Sequence, residues 1–387
     1  MNNPISEWPS FTQEEADAIS RVLLSNNVNY SINGEGKKFE KDFAKWCNTN
    51  YAIALANGTV ALELALKAID IADGDEVIVT PRSFIASVSC IVNVGAIPVF
   101  ADVDLNSGNI SAKSIEGKLS GKTKAIICVH LAGFPCDMDD IMHLAKKNNL
   151  YIVEDCAQAH GAKYKGKPVG SIGDIGCYSF CQDKIMTTGG EGGMVVTNNE
   201  NFWRKMWAYK DHGKSYQSLF ELQPPSNQYH SFGTNWRMTE MQAAIGRIQL
   251  ARMSNWHKKR NENAQAIIKT CQKFSNLLRV PKIDNYLEHG WYKLYVYVRQ
   301  EELSKAWTRD RIIKEISKFG VKCYAGSCSE IYLEKAFDKK FRPNKRLPNA
   351  KELGETSLMF LVHPTLTFSD INQTNKAITS VLKLANR

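Results

Sequence analysis

The first two-thirds of the chain alternate short β-rich runs with stretches of helical periodicity, and that alternation leaves few architectures open. EVIVT (76–80), IPVFADV (97–103), KAIICVH (124–130) and YIVEDCA (151–157) read as strands. Between them VALELALKAID (60–70) carries apolar residues at helical spacing, and DMDDIMHLAKKNN (137–149) opens on acids and closes on bases, as the helix dipole favours. Each lies where a crossover helix belongs. The pattern predicts an α/β domain built on a largely parallel sheet between helices.

A long helix, with room for a break, is predicted over 239–274, and after it the texture changes. WYKLYVYVRQ (291–300), a helix over 304–320 and a C-terminal helix over 369–384 form a smaller α+β unit. The expected division is a large domain over 1–250 and a small C-terminal domain over 251–387, with the junction inside the helical stretch. A length of 387 residues accommodates two or three domains, and no internal repeat is present.

Several function classes drop out on composition. The N-terminus MNNPISEWPSF has neither a basic start nor an apolar stretch, and no run of about eighteen apolar residues exists, so a cytoplasmic protein with no membrane association is expected. The ten cysteines are scattered without CxxC or Cys/His clustering, which reads as reduced thiols and no metal site. The net charge of +9 is dispersed, densest at WHKKR (256–260), a run that a solvated helix face explains. That surplus suits an anionic small molecule. No nucleic-acid module or basic stripe interleaved with aromatics is present. No GxxxxGK[ST] occurs and GSIGDIG (170–176) departs from GxGxxG, which argues against ATP and NAD.

Four segments carry candidate chemistry, each with a plain structural reading beside it. ALANGTVALELAL (54–66) passes through Asn57, Gly58 and Thr59 into a helix, which is either an anion site at a helix start or an ordinary turn capped by Thr59. YIVEDCAQAHGA (151–162) places Glu154, Asp155, Gln158 and His160 after an apolar strand, where parallel sheets bind ligands. Asp155 also reads as a cap and His160 as a hydrogen-bonded structural histidine. TPRSFIAS (80–87) contributes Phe84. In SFCQDKIMTTGGEGG (179–193), Lys184 has apolar sequence neighbours that would favour a neutral, nucleophilic amine, although on this segment alone an amine reaching solvent is the plainer reading. The glycines at 189, 190, 192 and 193 are read as a tight turn.

The combination is more specific than any part. A pyridoxal phosphate site needs an amine, an acid for the pyridine nitrogen, an anion cradle and a group on the ring face. In order and spacing these segments, with GTNWRMTEMQAAIGRIQL (233–250) and LPNAKELGETSLMFLVHPTL (347–366), resemble the DegT/StrS-type nucleotide-sugar aminotransferases over essentially the whole chain. The resemblance implies the fold-type-I architecture of pyridoxal-phosphate transferases. It makes Lys184 the Schiff-base lysine and acid/base, Asp155 the partner of the pyridine nitrogen, Gln158 a contact to the ring hydroxyl and Phe84 the stacking aromatic. Gly58, Thr59 and Ser179 become the phosphate cradle, joined by Asn235 from the partner subunit of a homodimer with shared sites, and Arg237 a contact to substrate diphosphate.

The resemblance further implies transamination of a nucleoside-diphosphate keto-sugar, with L-glutamate as donor. The leading substrate is dTDP-4-keto-6-deoxy-D-glucose, giving a 4-amino sugar such as viosamine for O-antigen or other surface polysaccharide. A 3-keto-sugar aminotransferase is the near alternative. A pyridoxamine-phosphate deoxysugar dehydratase would resemble members with histidine in place of Lys184, and a catalytically dead binding relative would lose Lys184 or Asp155. Two segments depart from the commoner pattern: CQD (181–183), where many members have proline or glutamate and threonine, and KCYAGSCSEIY (322–332), where many have a histidine-containing substrate loop.

Overall fold

The computed structural model describes residues 5–31, 33–220 and 228–386. Seven strands form the main sheet: β1 (Tyr51–Leu55), β2 (Glu76–Val79), β3 (Ile97–Phe100), β4 (Thr123–Val129), β5 (Tyr151–Asp155), β6 (Ile175–Ser179) and β7 (Gly193–Thr197). Their order is β1-β7-β6-β5-β4-β2-β3. The five strands from β6 to β3 pair in parallel, whereas β7 runs antiparallel to both of its neighbours. The sheet is therefore mixed but mostly parallel. Its strands are mostly apolar because helices cover both faces and most strand residues are buried.

Helices α1 (Gln13–Leu24), α2 (Glu35–Cys47), α3 (Gly58–Ala68), α4 (Ala86–Asn93), α5 (Met138–Lys147) and α6 (Glu200–Lys210) accompany this sheet. The sequence reading named neither α1, α2, α4 and α6 nor β7. β7 begins inside the glycine cluster, at Gly193, where the sequence pattern predicts turn. Gly189 and Gly190 do turn the chain, with φ of 88° and 136°. Gly193 instead opens β7 and pairs with both Leu55 and Ser179. A Cβ there would lie 2.3 Å from the Asn57 carbonyl oxygen, so only glycine lets the strand pass.

Helix α7 (Glu240–Cys271) runs without the break allowed for it. Thr239 caps it, its side chain accepting from the Gln242 amide while Gln242 returns the bond. The first half of α7 packs Ala243, Leu250 and Met253 against Phe39 and Phe180. The second half gives Ala264, Ile267 and Cys271 to a separate core with the C-terminal elements. Those are β8 (Leu278–Arg279), β9 (Leu294–Val298), α8 (Arg309–Ser317), β10 (Cys323–Tyr324), β11 (Ser357–Phe360) and α9 (Phe368–Ala385), with the strands ordered β8-β9-β11-β10. Chain position does not sort the two cores cleanly. Ile5 joins the C-terminal core, while Tyr295, Tyr297 and Tyr332 join that of the main sheet. Among the described residues no helix is long and apolar enough to cross a membrane.

Side-chain alternation on β5 splits its two acids. Glu154 is fully buried and accepts from His130 (2.9 Å) and from the amides of Gly170, Ile172 and Gly173 (2.8, 2.8 and 2.6 Å). Burial by itself would raise its carboxyl, but the His130 bond and the amides prevail and hold it below its usual value. Glu154 is thus a fastener for the 170–173 turn. His130, Glu154 and Cys156 stand within 4.8 Å of one another, a metal-capable grouping whose carboxylate is already committed to these bonds. Glu154→Gln should cost about 2–4 kcal/mol at neutral pH, read by denaturant unfolding. Because the folded pKa is lowered, the wild-type advantage is complete above about pH 4.5 and should shrink as pH falls below it.

Candidate active site

The site gathers at the carboxyl ends of β1, β2, β5 and β6, where an open α/β sheet presents loops and helix starts to one crevice. A cavity of about 960 Å³ lies there, and Gly58, Thr59, Phe84, Asp155, Gln158, Ser179 and Lys184 all line it. Residues more than a hundred positions apart thus reach one volume.

Helix α3 begins immediately after β1. Asn57, not Thr59, is its cap: the Asn57 side chain accepts from the Val60 amide at 3.0 Å. The Asn57 carbonyl takes the Ala61 amide. The first two amides of the helix, from Gly58 and Thr59, are left without a protein acceptor among the described residues and border the cavity. Ser179 closes against this turn so tightly that a Cβ on Gly58 would sit 2.5 Å from the Ser179 Cβ. Free amides, a positive dipole end and two hydroxyls form a phosphate-sized anion cradle.

Across the cavity Asp155 is 4% exposed. Its Oδ2 accepts from the Ser87 hydroxyl at 2.7 Å and its Oδ1 from the Ala157 amide at 3.1 Å. Ser87 in turn exchanges a 2.8 Å bond with Ser83. The sequence reading overlooked these serines although both lie in TPRSFIAS, where their spacing of four would have placed them on one side of a helical turn. Gln158 accepts from the Ala132 amide at 2.8 Å, which leaves its NH₂ for the cavity. Phe84 is 63% exposed and lies on the wall as a free aromatic face. His160 is fully buried beside Tyr178 and Phe180, and burial with the nearby Lys184 and Arg260 cations drives its pKa down to about 3. Its role is packing, since neither ring nitrogen makes a well-formed hydrogen bond among the described residues.

The apolar neighbours of Lys184 do not surround its amine. Ile185 and Met186 turn into the core, while Lys184 is half-buried on the cavity wall with Nζ 5.1 Å from the centre of the Tyr292 ring. The Trp8 indole donates to its carbonyl at 2.8 Å. Asp183 accepts a short hydrogen bond from the Tyr292 hydroxyl. Part of the unusual CQD segment therefore ties the lysine turn to β9, which Tyr292 precedes by two residues. The departing 322–332 segment reaches the same cavity through Gly326, Ser327 and Cys328. Two expected residues do not. Asn235 is exposed elsewhere, and the Arg237 guanidinium pairs with Asp211.

The donor set fits pyridoxal phosphate: an anion cradle that a Cβ at residue 58 would fill, a carboxylate fixed by two donors, a flat aromatic and an amine on one wall. Fold and site together define a fold-type-I pyridoxal-phosphate transferase. Residues 9–379 match the DegT/DnrJ/EryC1/StrS aminotransferase family, and the chain belongs to that family. It is 40% identical over 299 residues to a GDP-perosamine synthase of Escherichia coli O157:H7, covering 76% of this chain and 78% of that protein. It is 36% identical over 313 residues to a dTDP-3-amino-3,6-dideoxy-alpha-D-galactopyranose transaminase of Aneurinibacillus thermoaerophilus, covering 80% and 82%. The crystal structure of an aminotransferase from Psychrobacter cryohalolentis superposes with a TM-score of 0.97 at 62% identity, over 99% of this chain and all of that one. The protein is a pyridoxal-phosphate-dependent sugar aminotransferase. Gly58→Ala should weaken cofactor affinity by at least about tenfold in an absorbance titration, with an unchanged circular dichroism spectrum.

Proposed function

We propose that this protein transfers the amino group of L-glutamate to the keto carbon of a nucleoside-diphosphate-linked sugar, with Lys184 as its catalytic residue. The observation that carries the reading is that Lys184 shares one cavity with Asp155 and the Gly58–Thr59–Ser179 cradle. The cradle would anchor the phosphate, Asp155, fixed by its Ser87 and Ala157 donors, would hold the proton on the ring nitrogen, Gln158 would donate to the ring hydroxyl oxygen, and Phe84 would cover a ring face. Pyridoxal phosphate, when bound, supplies an aldehyde that takes up an amino group and a conjugated ring that holds the electron pair left by proton loss. Lys184 Nζ would be the base that takes the proton from the amino-bearing carbon of the donor and the acid that later returns one to the former keto carbon of the sugar. The Tyr292 ring beside it limits where the amine can swing.

The enzyme works as a homodimer in which Asn235 completes the partner's cradle. Two features support this: Asn235 is exposed away from its own cavity, and the adjacent Tyr229 and Phe232 are 66% and 99% exposed. The preferred substrate is dTDP-4-keto-6-deoxy-D-glucose, for amino-sugar building blocks of surface polysaccharide. Relatives named for GDP-linked and dTDP-linked sugars support the substrate class and leave base and ring position for experiment. Arg237 is proposed to meet the diphosphate once its pairing with Asp211 is exchanged.

The purified protein should absorb at roughly 410–430 nm, and borohydride should remove the band while fixing cofactor to Lys184. Lys184→Ala should retain cofactor noncovalently and lose turnover entirely. A colourless protein that stays inert after addition of pyridoxal phosphate would refute the reading. Incubation with dTDP-, GDP- and UDP-linked 4-keto and 3-keto sugars, with products solved by NMR, assigns the substrate. Amination of a 3-keto sugar alone would overturn the 4-keto preference.

A further inference from the structure

Behind Tyr292 lies a smaller cavity of about 60 Å³, whose walls include Trp8, Arg260, Lys293, Lys322 and His363. Asp183, Tyr292 and Lys293 border both this cavity and the large one, so the two adjoin at these residues. The volume is worth about two waters, enough for a carboxylate and too little for a nucleoside diphosphate.

Arg260 makes the cavity unusual. It is 1% exposed, and only its Nη1 finds a partner, donating to the Trp291 carbonyl at 3.2 Å. Nε and Nη2 have none among the described residues. The guanidinium rests 5.0 Å from the centre of the Trp8 ring, a contact that leaves its charge without a counter-ion. An uncompensated buried guanidinium is costly, and burial lowers the Arg260 pKa to about 9.

Lys293 adds a second cation. Its Nζ lies 4.6 Å from the centre of the Tyr292 ring, on the residue next to the one that Lys184 approaches, and burial lowers its pKa to about 8. Lys322 adds a third, held only loosely by Glu7 at 3.8 Å. The two acids at the rim are exposed, and Asp183 is occupied by the Tyr292 hydroxyl. His363 stays neutral, its pKa driven to about 3 by burial and these cations. Three cations thus border a void in which, among the described residues, no carboxylate pairs with Arg260.

We propose that this cavity is the subsite for a carboxylate of the amino donor, held by Arg260 and Lys293 beside the Tyr292 ring that Lys184 also approaches. The assignment rests on the transaminase reading, because it is the donor that brings an acid group to this side of the lysine. A small acid would supply the missing counter-ion and be oriented by it. A nucleotide sugar would place its phosphates elsewhere in the larger cavity.

The test is isothermal titration of the holoenzyme with glutarate, which carries both acid groups of the donor but no reactive amine, and separately with dTDP. Glutarate should bind the wild type, and Lys293→Gln and Arg260→Gln should each weaken it at least about tenfold, with dTDP affinity changed less than about twofold. The KM for glutamate should rise in parallel while that for the keto-sugar does not. If Arg260→Gln does not fold, Lys293→Gln and Lys322→Gln carry the comparison. Unchanged glutarate affinity in folded variants would overturn the proposal. A loss confined to dTDP would also overturn it and assign the cavity to nucleotide phosphate. Absence of turnover with every keto-sugar would refute the reaction without affecting the glutarate titration. Normal turnover with glutarate binding indifferent to these residues would refute the subsite alone.

Discussion

The passage of β7 between β1 and β6 is the constraint on which the rest of the site depends. Gly193 pairs with Leu55 on one side and Ser179 on the other, so the turn after β1 must fold across the end of β7 to reach Ser179. Backbone touches backbone at that crossing, and a side chain at residue 193 would strike the Asn57 carbonyl. With that contact made, the start of α3 presents its amides to the cavity and Ser179 completes the cradle. The position of Lys184, five residues after Ser179, follows from the same strand end.

The acids of β5 show how one strand serves stability and chemistry at once. Alternation sends Glu154 to one face, where four donors absorb its charge, and Asp155 to the other, where among the described residues Ser87 and Ala157 donate to it and it borders the cavity. Exchanging these roles would need a one-residue slip of β5 against β4 and β6. Such a slip would reverse every apolar residue of the strand as well. The acid that faces the cavity is therefore placed by the hydrophobic register of the sheet.

The C-terminal unit is fastened to the sheet domain close to the chemistry. Asp183 holds Tyr292, and the buried Arg82 reaches Ser329 at 2.5 Å. Two backbone amides, those of Asn349 and Ala350, rest on Asp102. The unusual 181–183 and 322–332 segments both take part in this seam, and the 322–332 segment also lines the large cavity. Departures from the commoner family pattern thus collect along this seam and the cavity wall beside it.

Much of this was legible in the chain itself. Apolar runs of four to seven residues marked β2 to β5, and helical periodicity marked α3, α5 and α7, because burial on both faces or on one stripe leaves a periodic trace. The order of Asn57-Gly58-Thr59, Phe84, Asp155 and Lys184 marked the cofactor class, since that chemistry requires those groups. Short β7 was hidden in a glycine cluster, and the serine pair behind Asp155 in an unremarkable helix start. Arg260 read as part of a solvated basic face, because its burial depends on Trp8 and Trp291, far away in the chain. Local periodicity and residue chemistry are properties of neighbours along the chain, and these the sequence determined alone. Which amides stay free, which acid faces the cavity and which cation is left without a partner depend on residues tens to hundreds of positions apart, and only the tertiary structure decided them.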